Sequence, residues 1–540
     1  MIRRTHTLQP CWQHGLRAAV AACAVALSLP PAAALPPEAL PGPTVLQQEL
    51  RLRADASRDP GPEAEGPLRL SLEEAVLTAL RYNRSLTAQQ LVPQITGAFE
   101  AIERSAFDLT AFAELGFSRS VSERASPDIR QTFSIESRGV SGTAGVRATL
   151  PSGTTVEGGV EYRQQSSNRT LDDQHVAGFN LSVTQALLRG ASRRANLIDL
   201  RQAELDTLAS EYELRGFITS LVADVEQAYW NYVLASQRLA IFESSLQLAE
   251  RQLRETEQRI RAGALPEAEW AAARAEVARR RQELIDARAE HDRQRLTLLR
   301  LLSPPSVAGW RRSIEPLSEP QAPAADALDP VEDHIALAQR LRAELNEARL
   351  RLQQGRLEVI QTRHGLLPRL DLFVVLGKTG YANAFGDAFR NIDGDTYDLS
   401  AGLRFELPLG NRRARAEHRI ASLQQAQAQA SLDNLAQLVA LEVQQAYLEV
   451  QRSAAQIEAS RATRALQESV LAAEQARLRA GRSTSLAVAQ AQRDLLAAQI
   501  DEVGAVIAYR QALTTLYRLD GSLLARRAIA APGEQPALLP

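Results

Sequence analysis

The pattern of apolar and polar positions changes period several times along the chain. From Leu221 the residues Val225, Ala228, Tyr232, Ala235, Leu239, Phe242, Leu246, Ala249 and Leu253 follow one another in alternating steps of four and three. That is a heptad seam, which requires partner helices along its length. It stops at Gly263, with Arg259 and Arg261 in the last turn. Glycine suits a left-handed helix cap and arginine suits the carbonyl end of the helix. The pattern predicts one helix from Ser192 or Asn196 to Ala262, about 66 residues and on the order of 100 Å at 1.5 Å per residue. A return helix is predicted from near Pro266 to Leu302.

Between Ala111 and Gln185 the period falls to two. Val140, Gly142, Ala144, Val146, Ala148 and Leu150 alternate with polar or small partners. So do Val156, Gly158, Val160 and Tyr162, and then Ala177, Phe179, Leu181 and Val183. Two more such stretches follow much later, Leu370 to Leu376 and Leu399 to Leu407. Each strand therefore has an apolar face and a polar face, as a membrane barrel with a wet lumen requires. A soluble half-buried sheet carries the same alternation, and the rest of the chain must decide between the two.

The text repeats. VEQAYWNYV at Val225 is echoed by VQQAYLEV at Val443, and RIRAG at Arg259 by RLRAG at Arg477. Tyr447 minus Tyr229 and Gly481 minus Gly263 are both 218, so the spacing is kept without a gap across a long helix. This is a duplication. Leu345 minus Leu86 is 259, so the first copy holds 41 additional residues before the long helix, about one hairpin with its loop. Four strands are expected in the first copy and two in the second. The expected boundaries are 70–302 for the first repeat and 331–524 for the second, with a Pro-rich connector at 303–330 and a loose tail at 525–540. A second long helix should run from after Gly410 to Ala480 and its return helix to near Leu519.

Composition narrows the classes. The 62 basic and 64 acidic residues nearly balance, which leaves no nucleic-acid footprint. Arg3, Arg4 and Arg17 precede an apolar run from Ala18 to Leu29 and a small-residue site at Ala32 to Ala34, which reads as a signal peptide over 1–34. Val20-Ala21-Ala22 before Cys23 has lipobox character, but the apolar run before it is short, and cleavage near Ala34 is preferred. Residues 35–69 read as a flexible arm. The two cysteines, Cys11 and Cys23, both lie in the leader region. No later stretch has the roughly 18 unbroken apolar residues of a membrane helix. An exported chain of this kind spans a membrane, if at all, with strands. The histidines are scattered and no catalytic motif appears, so an enzyme is not expected, and neither a metal site nor a cofactor is. His291 sits at a packing position, and Asp172-Asp173 and Asp393-Gly394-Asp395 fall in surface loops. Met1 is the only methionine, which excludes a thioether relay for soft metals within the chain.

Four to six strands cannot close a membrane barrel alone, and an open edge in lipid leaves backbone groups unpaired. Several copies must therefore pool strands. The expected fold is an α+β membrane protein, a β-barrel continuous with a long α-helical barrel, built from two repeats. At LSLEEAVLTAL near Leu70, TQALLRG at Thr184, AYW and AYL, RIRAG and RLRAG, and LLPRLDL at Leu366, the chain resembles the TolC family of outer-membrane efflux and secretion channels. The resemblance spans roughly Leu70 to Leu524. It implies a homotrimer in outer-membrane lipid with a large periplasmic portion. It further implies a periplasmic membrane-fusion adaptor and an inner-membrane pump of RND, ABC or MFS type, and a passive exit duct for efflux or type I secretion. It places adaptor docking at the helix tips, on Arg259, Ala262, Gly263 and Leu265 and on Arg477, Ala480, Gly481 and Leu486. Where some members carry acidic residues six and nine positions after the second tip glycine, this chain has Ala487 and Gln490. A constriction would draw instead on Glu267, Glu269 and Gln490. The competing reading is a periplasmic coiled-coil adaptor without a pore, which carbonate washing would strip from the membrane.

Overall fold

The computed structural model of the chain describes residues 66–126, 131–168, 172–263, 266–304, 309–320, 328–393, 395–480 and 482–530. The expected signal peptide, the Cys23 processing site, most of the arm and the end of the tail lie outside these residues, as do Leu265 and Gly481. In chain order the elements are β1 (Leu68–Leu70), α1 (Leu72–Tyr82), α2 (Arg84–Gln89), α3 (Val92–Ser105), β2 (Thr110–Ser126), β3 (Gln131–Thr149), β4 (Thr154–Ser167) and β5 (Gln174–Ala186). Then follow α4 (Arg193–Asn196), α5 (Ile198–Arg261), α6 (Ala268–Leu302), β6 (Ile314–Pro316), α7 (Val331–Leu341) and α8 (Ala343–Gly365). The chain continues with β7 (Arg369–Ala382), α9 (Phe385–Arg390), β8 (Tyr397–Glu406), α10 (Arg412–Arg479), α11 (Ser485–Leu519) and α12 (Leu523–Arg526).

Two compact units emerge. One, made from Gly97–Leu205 and Leu352–Gln427, holds a single six-stranded sheet in the order β2-β3-β4-β5-β7-β8, antiparallel throughout. The expected four strands before the first long helix and two before the second are all present. The turn from β3 to β4 uses Gly153 at φ +76°, whose Cβ position would lie 2.0 Å from the Gly190 carbonyl oxygen. Only glycine fits there. Asn196 pins the same corner, donating to the carbonyls of Pro151 and Gly190. At the far end of the sheet, α9 folds back over Gly380 and packs Phe385 and Phe389 against Tyr162 and Ala177.

The other unit is helical. Ser71 and Glu74 form the reciprocal capping box of α1. Two apolar cores follow the same plan. The first joins α1 and the Val222–Val233 segment of α5 to Leu298, Leu299 and Leu302 of α6. The second joins Ala338 of α7 and Leu345 of α8 to Val439, Val443 and Val450 of α10 and to Val506 and Leu516 of α11. The heptad seam is buried at Val225, Ala228, Tyr232 and Ala235, and half-buried at Leu239, Phe242, Leu246 and Leu253. His291 packs against Tyr232, with ring centroids 5.0 Å apart.

The pattern did not announce β1 and β6. They pair in parallel where an arm and an irregular connector were expected. Tyr229 explains the placement: its hydroxyl donates to the Leu70 carbonyl and accepts from the Ser318 amide, while Tyr232 donates to the Ile314 carbonyl.

Candidate functional site

Two surfaces are candidates for function: the faces of the sheet and the tips of the helix hairpins. On one face of the sheet the ladder aligns Ala111, Ala113, Leu115 and Phe117 of β2 with Val140 to Val146 of β3. The same face continues through Val156 to Tyr162, Ala177 to Val183 and Leu370 to Leu376, and ends with Tyr397, Leu399, Ala401, Leu403 and Phe405 of β8. Phe117 is 65% exposed and Leu403 65%. Tyr162 and Ala177 of this face lie under α9, while the rest of the row has no second layer over it among the described residues; a soluble sheet would bury such a row, and exposed apolar rows of this kind suit contact with lipid. From Tyr397 to Phe405 the stretch is about 26 Å long at roughly 3.3 Å per residue, the height of a barrel's apolar band. It gives way to polar groups at one end. There Glu136 pairs with Arg119 at 2.8 Å and Arg138 at 2.9 Å. Lys378, the only lysine in the chain, sits there between Phe179 and Tyr397.

The opposite face is charged and small. Arg147 pairs with Glu157 at 2.8 Å and also lies over the ring of Phe112. Phe112 in turn covers Gly145, where a Cβ would meet its ring at 2.8 Å. At the other edge the device recurs: Arg404 lies over Phe373, which covers Gly402 at the same 2.8 Å. An aromatic ring over a cross-strand glycine stiffens a sheet where glycine would otherwise weaken it.

At the first hairpin tip, α5 closes through Ala262 N–H to Gln258 O and Gly263 N–H to Ile260 O. Gly263 stands at φ +72° with nothing within 4 Å of its Cβ position. Arg259, Ala262, Gly263 and Glu267 are exposed and Glu269 is half-buried. Sequence reasoning missed Trp270, which ties the hairpin together: its indole N–H donates to Glu257 across the turn, and Arg274 lies over its ring at 4.5 Å. No motif signals this, because the contact exists only once the two helices are antiparallel.

At the second tip, Arg482 N–H donates to the Arg477 carbonyl, the six-to-one bond of a Schellman ending. Thr484 caps α11 by accepting from Ala487 N–H. Glu474 accepts from Ser483 and from Arg477, both at 2.6 Å, and the Ser483 hydroxyl, then Arg477, hold its carboxyl below the ordinary range. Arg477, Ala480, Leu486 and Gln490 are exposed. Among the described residues no group of acidic, histidine or cysteine side chains could hold a metal ion.

A family model described as outer membrane efflux protein matches residues 155–303 and 334–522, more than half of the chain. None of the curated proteins compared with the chain matches it by sequence. Among solved structures, the chain is similar to CusC, described in terms of folding and transmembrane channel formation. There the TM-score is 0.63 at 18% identity, covering 83% of this chain and 92% of that one. It is similar to the Campylobacter jejuni CmeC outer membrane channel, with TM-score 0.63, 17% identity, and 86% and 87% of the two chains covered. It is likewise similar to the Vibrio cholerae outer membrane protein VceC, with TM-score 0.61, 17% identity, and 84% and 96% covered. At these identities the likeness is one of fold.

Proposed function

Because the chain belongs to the outer membrane efflux protein family, we propose that it is the passive exit duct of a tripartite efflux or type I secretion system, working as a homotrimer. One observation carries the reading: a six-stranded sheet with one largely exposed apolar face and one charged face, whose outer edges, β2 and β8, have no further strand beside them among the described residues. Such a sheet is stable in a bilayer only when its edges are closed by further copies. The charged face then lines the lumen. The half-buried outer part of the α5 seam supports the same assembly, because its apolar residues lack full cover within one chain.

The duct spans the outer membrane with strands and the periplasm with helices. Adaptor contact falls on Arg259, Ala262, Gly263 and Leu265 of the first tip and on Arg477, Ala480, Gly481 and Leu486 of the second. The exposed arginines and Leu486 support this, since they face no core. Glu267, Glu269 and Gln490 stand near the same tips and form the candidate constriction. The duct adds no energy of its own; an inner-membrane pump of RND, ABC or MFS type drives transport and selects the substrate.

Electron microscopy of the particle extracted from membranes in detergent tests this reading. A hollow three-fold rod with a helical part on the order of 100 Å long is expected from the helix length. A compact monomer, or a rod without a lumen, overturns it.

A further inference from the structure

The β2–β3 hairpin, Thr110 to Thr149, precedes the first residue matched by the family model, 155. The strands β5, β7 and β8, and all of β4 but Thr154, lie within the matched regions. The hairpin could lie in the wall of the pore or outside it, and three features of the sheet decide.

The first is direction. Six antiparallel strands leave β2 and β8 as edges that run in opposite senses. Placing β8 of one copy beside β2 of the next continues the alternation without a break, as placing it beside β4 also would, so direction permits the wider wall and the next two features favour it.

The second is the apolar band. Following ladder partners across the sheet, Ala111 of β2 leads through Val146, Gly158, Leu181 and Leu376 to Leu399 of β8. Ala111 begins the β2 band. Leu399, however, lies near the opposite limit of the β8 band, which extends on to Phe405. The band thus drifts along the strands by about one residue per strand. At about 3.3 Å per residue and 4.8 Å between strands, that is a tilt of roughly 35°, within the range of membrane barrels. The β2 and β3 bands lie on the same line as the other four, which a hairpin outside the wall has no reason to do.

The third is the polar face. The Arg147–Phe112–Gly145 stack on the hairpin and the Arg404–Phe373–Gly402 stack on the last two strands sit at the same height within their bands. Both ends of the sheet are thus built for one lumen.

We propose that the β2–β3 hairpin is part of the barrel wall and that β8 of one copy pairs antiparallel with β2 of the next. This rests on the trimeric channel reading. Six strands from each of three copies give an 18-stranded barrel. The four strands inside the family match alone would give 12. At the tilt above, the backbone diameter is about 34 Å for the wider wall and about 23 Å for the narrower. Extending the drift by one strand sets the register between copies: Phe405 faces Ala111, Leu403 faces Ala113, Ala401 faces Leu115 and Leu399 faces Phe117.

Cysteine pairs in the full chain test the junction. Residues opposite one another in an antiparallel ladder have Cα atoms about 4.5–5.5 Å apart, within disulfide reach. Ala113→Cys with Leu403→Cys should give covalent trimers under mild oxidation in membranes, and neither single variant should. Gly158→Cys with Leu403→Cys would cross-link only if β8 met β4 of the next copy, with the hairpin outside the wall. Covalent trimers from that second pair, or a cryo-electron-microscopy section showing 12 strands, would overturn this inference and leave the channel reading standing. A three-fold particle whose wall shows 18 strands supports both. A monomeric particle without either cross-link would overturn the channel reading itself.

Discussion

Glu226 allows a test with a magnitude worked from the structure. It is fully buried on α5, and it accepts from Arg527 at 2.5 and 2.9 Å and from the Thr514 hydroxyl at 2.6 Å. Arg527 follows α12, so the pair ties the end of the described chain to the first core. Arg527→Ala would leave a carboxylate with no exposure and one hydroxyl donor. Breaking a buried ion pair costs about 3–5 kcal/mol. The Arg527 side chain is 36% exposed, so water can reach the vacated space, and about 2–3 kcal/mol is the better expectation. For a helical unit of this size that corresponds to about 4–6 °C in apparent melting temperature. Trp230 is buried beside Tyr229 in the same core, so its fluorescence reports the transition. Adding Glu226→Gln to Arg527→Ala should recover most of the loss, because a neutral amide can still accept from Thr514 and leaves no buried charge. A single Arg527→Ala variant that melts with the natural chain would refute the reasoning. So would a double variant as unstable as the single one.

Three further outcomes follow from the geometry. Gly263→Ala meets no atom within 4 Å but must hold φ +72°; the strain is about 1–2 kcal/mol. That should leave trimer content unchanged while adaptor capture and efflux-dependent resistance fall severalfold, and unaltered capture would argue against docking at this tip. Gly153→Ala, with its Cβ 2.0 Å from the Gly190 carbonyl oxygen, should abolish the β3–β4 turn, and the protein should disappear from the outer-membrane fraction on density separation. The Glu213 carboxyl is raised above its ordinary value by partial burial and by Glu347, and Arg351 counters this at 3.4 Å from Glu213 and 2.6 Å from Glu347. A raised carboxylate contributes stability that is full below its unfolded pKa and is lost as pH rises through the folded value. Arg351→Met should therefore destabilise by about 0.5–1 kcal/mol at pH 8, given the exposure of the pair, and by less at pH 5. Equal melting shifts at both values would contradict this.

The long elements were legible because their periods persist. A seam from Leu221 to Leu253 averages over many turns, and five alternating stretches cannot all arise by accident. What escaped was short or distant. The three residues of β1 have no period, and their placement depends on Tyr229 reaching the Leu70 carbonyl. The six residues of α9 sit in a loop whose only hint was two phenylalanines four apart. Glu226 was visible only as a letter in a repeated motif, since its partner stands 301 residues away. The His334–Asp520 pair, buried at 2.7 Å, is equally remote along the chain. At the tips the glycines and arginines were readable as helix endings, whereas Trp270 acquires its role only by facing Glu257 across the turn.

The strand region shows where sequence and structure must be combined. Alternation tells which residues share a face but is blind to tilt, because period two is unchanged when neighbouring strands slide by two residues. Register alone is equally blind, since a ladder has no knowledge of where a bilayer begins. Only the two together show the apolar band crossing the ladder obliquely, from Ala111 at the start of one edge to Phe405 at the end of the other. A bilayer is flat, so the band must be level and the strands must lean. In the assembly proposed above, β8 and β2 of neighbouring copies then meet at the one register that keeps the band continuous. An edge residue such as Ala113 thereby acquires a partner that no pattern within a single chain could name.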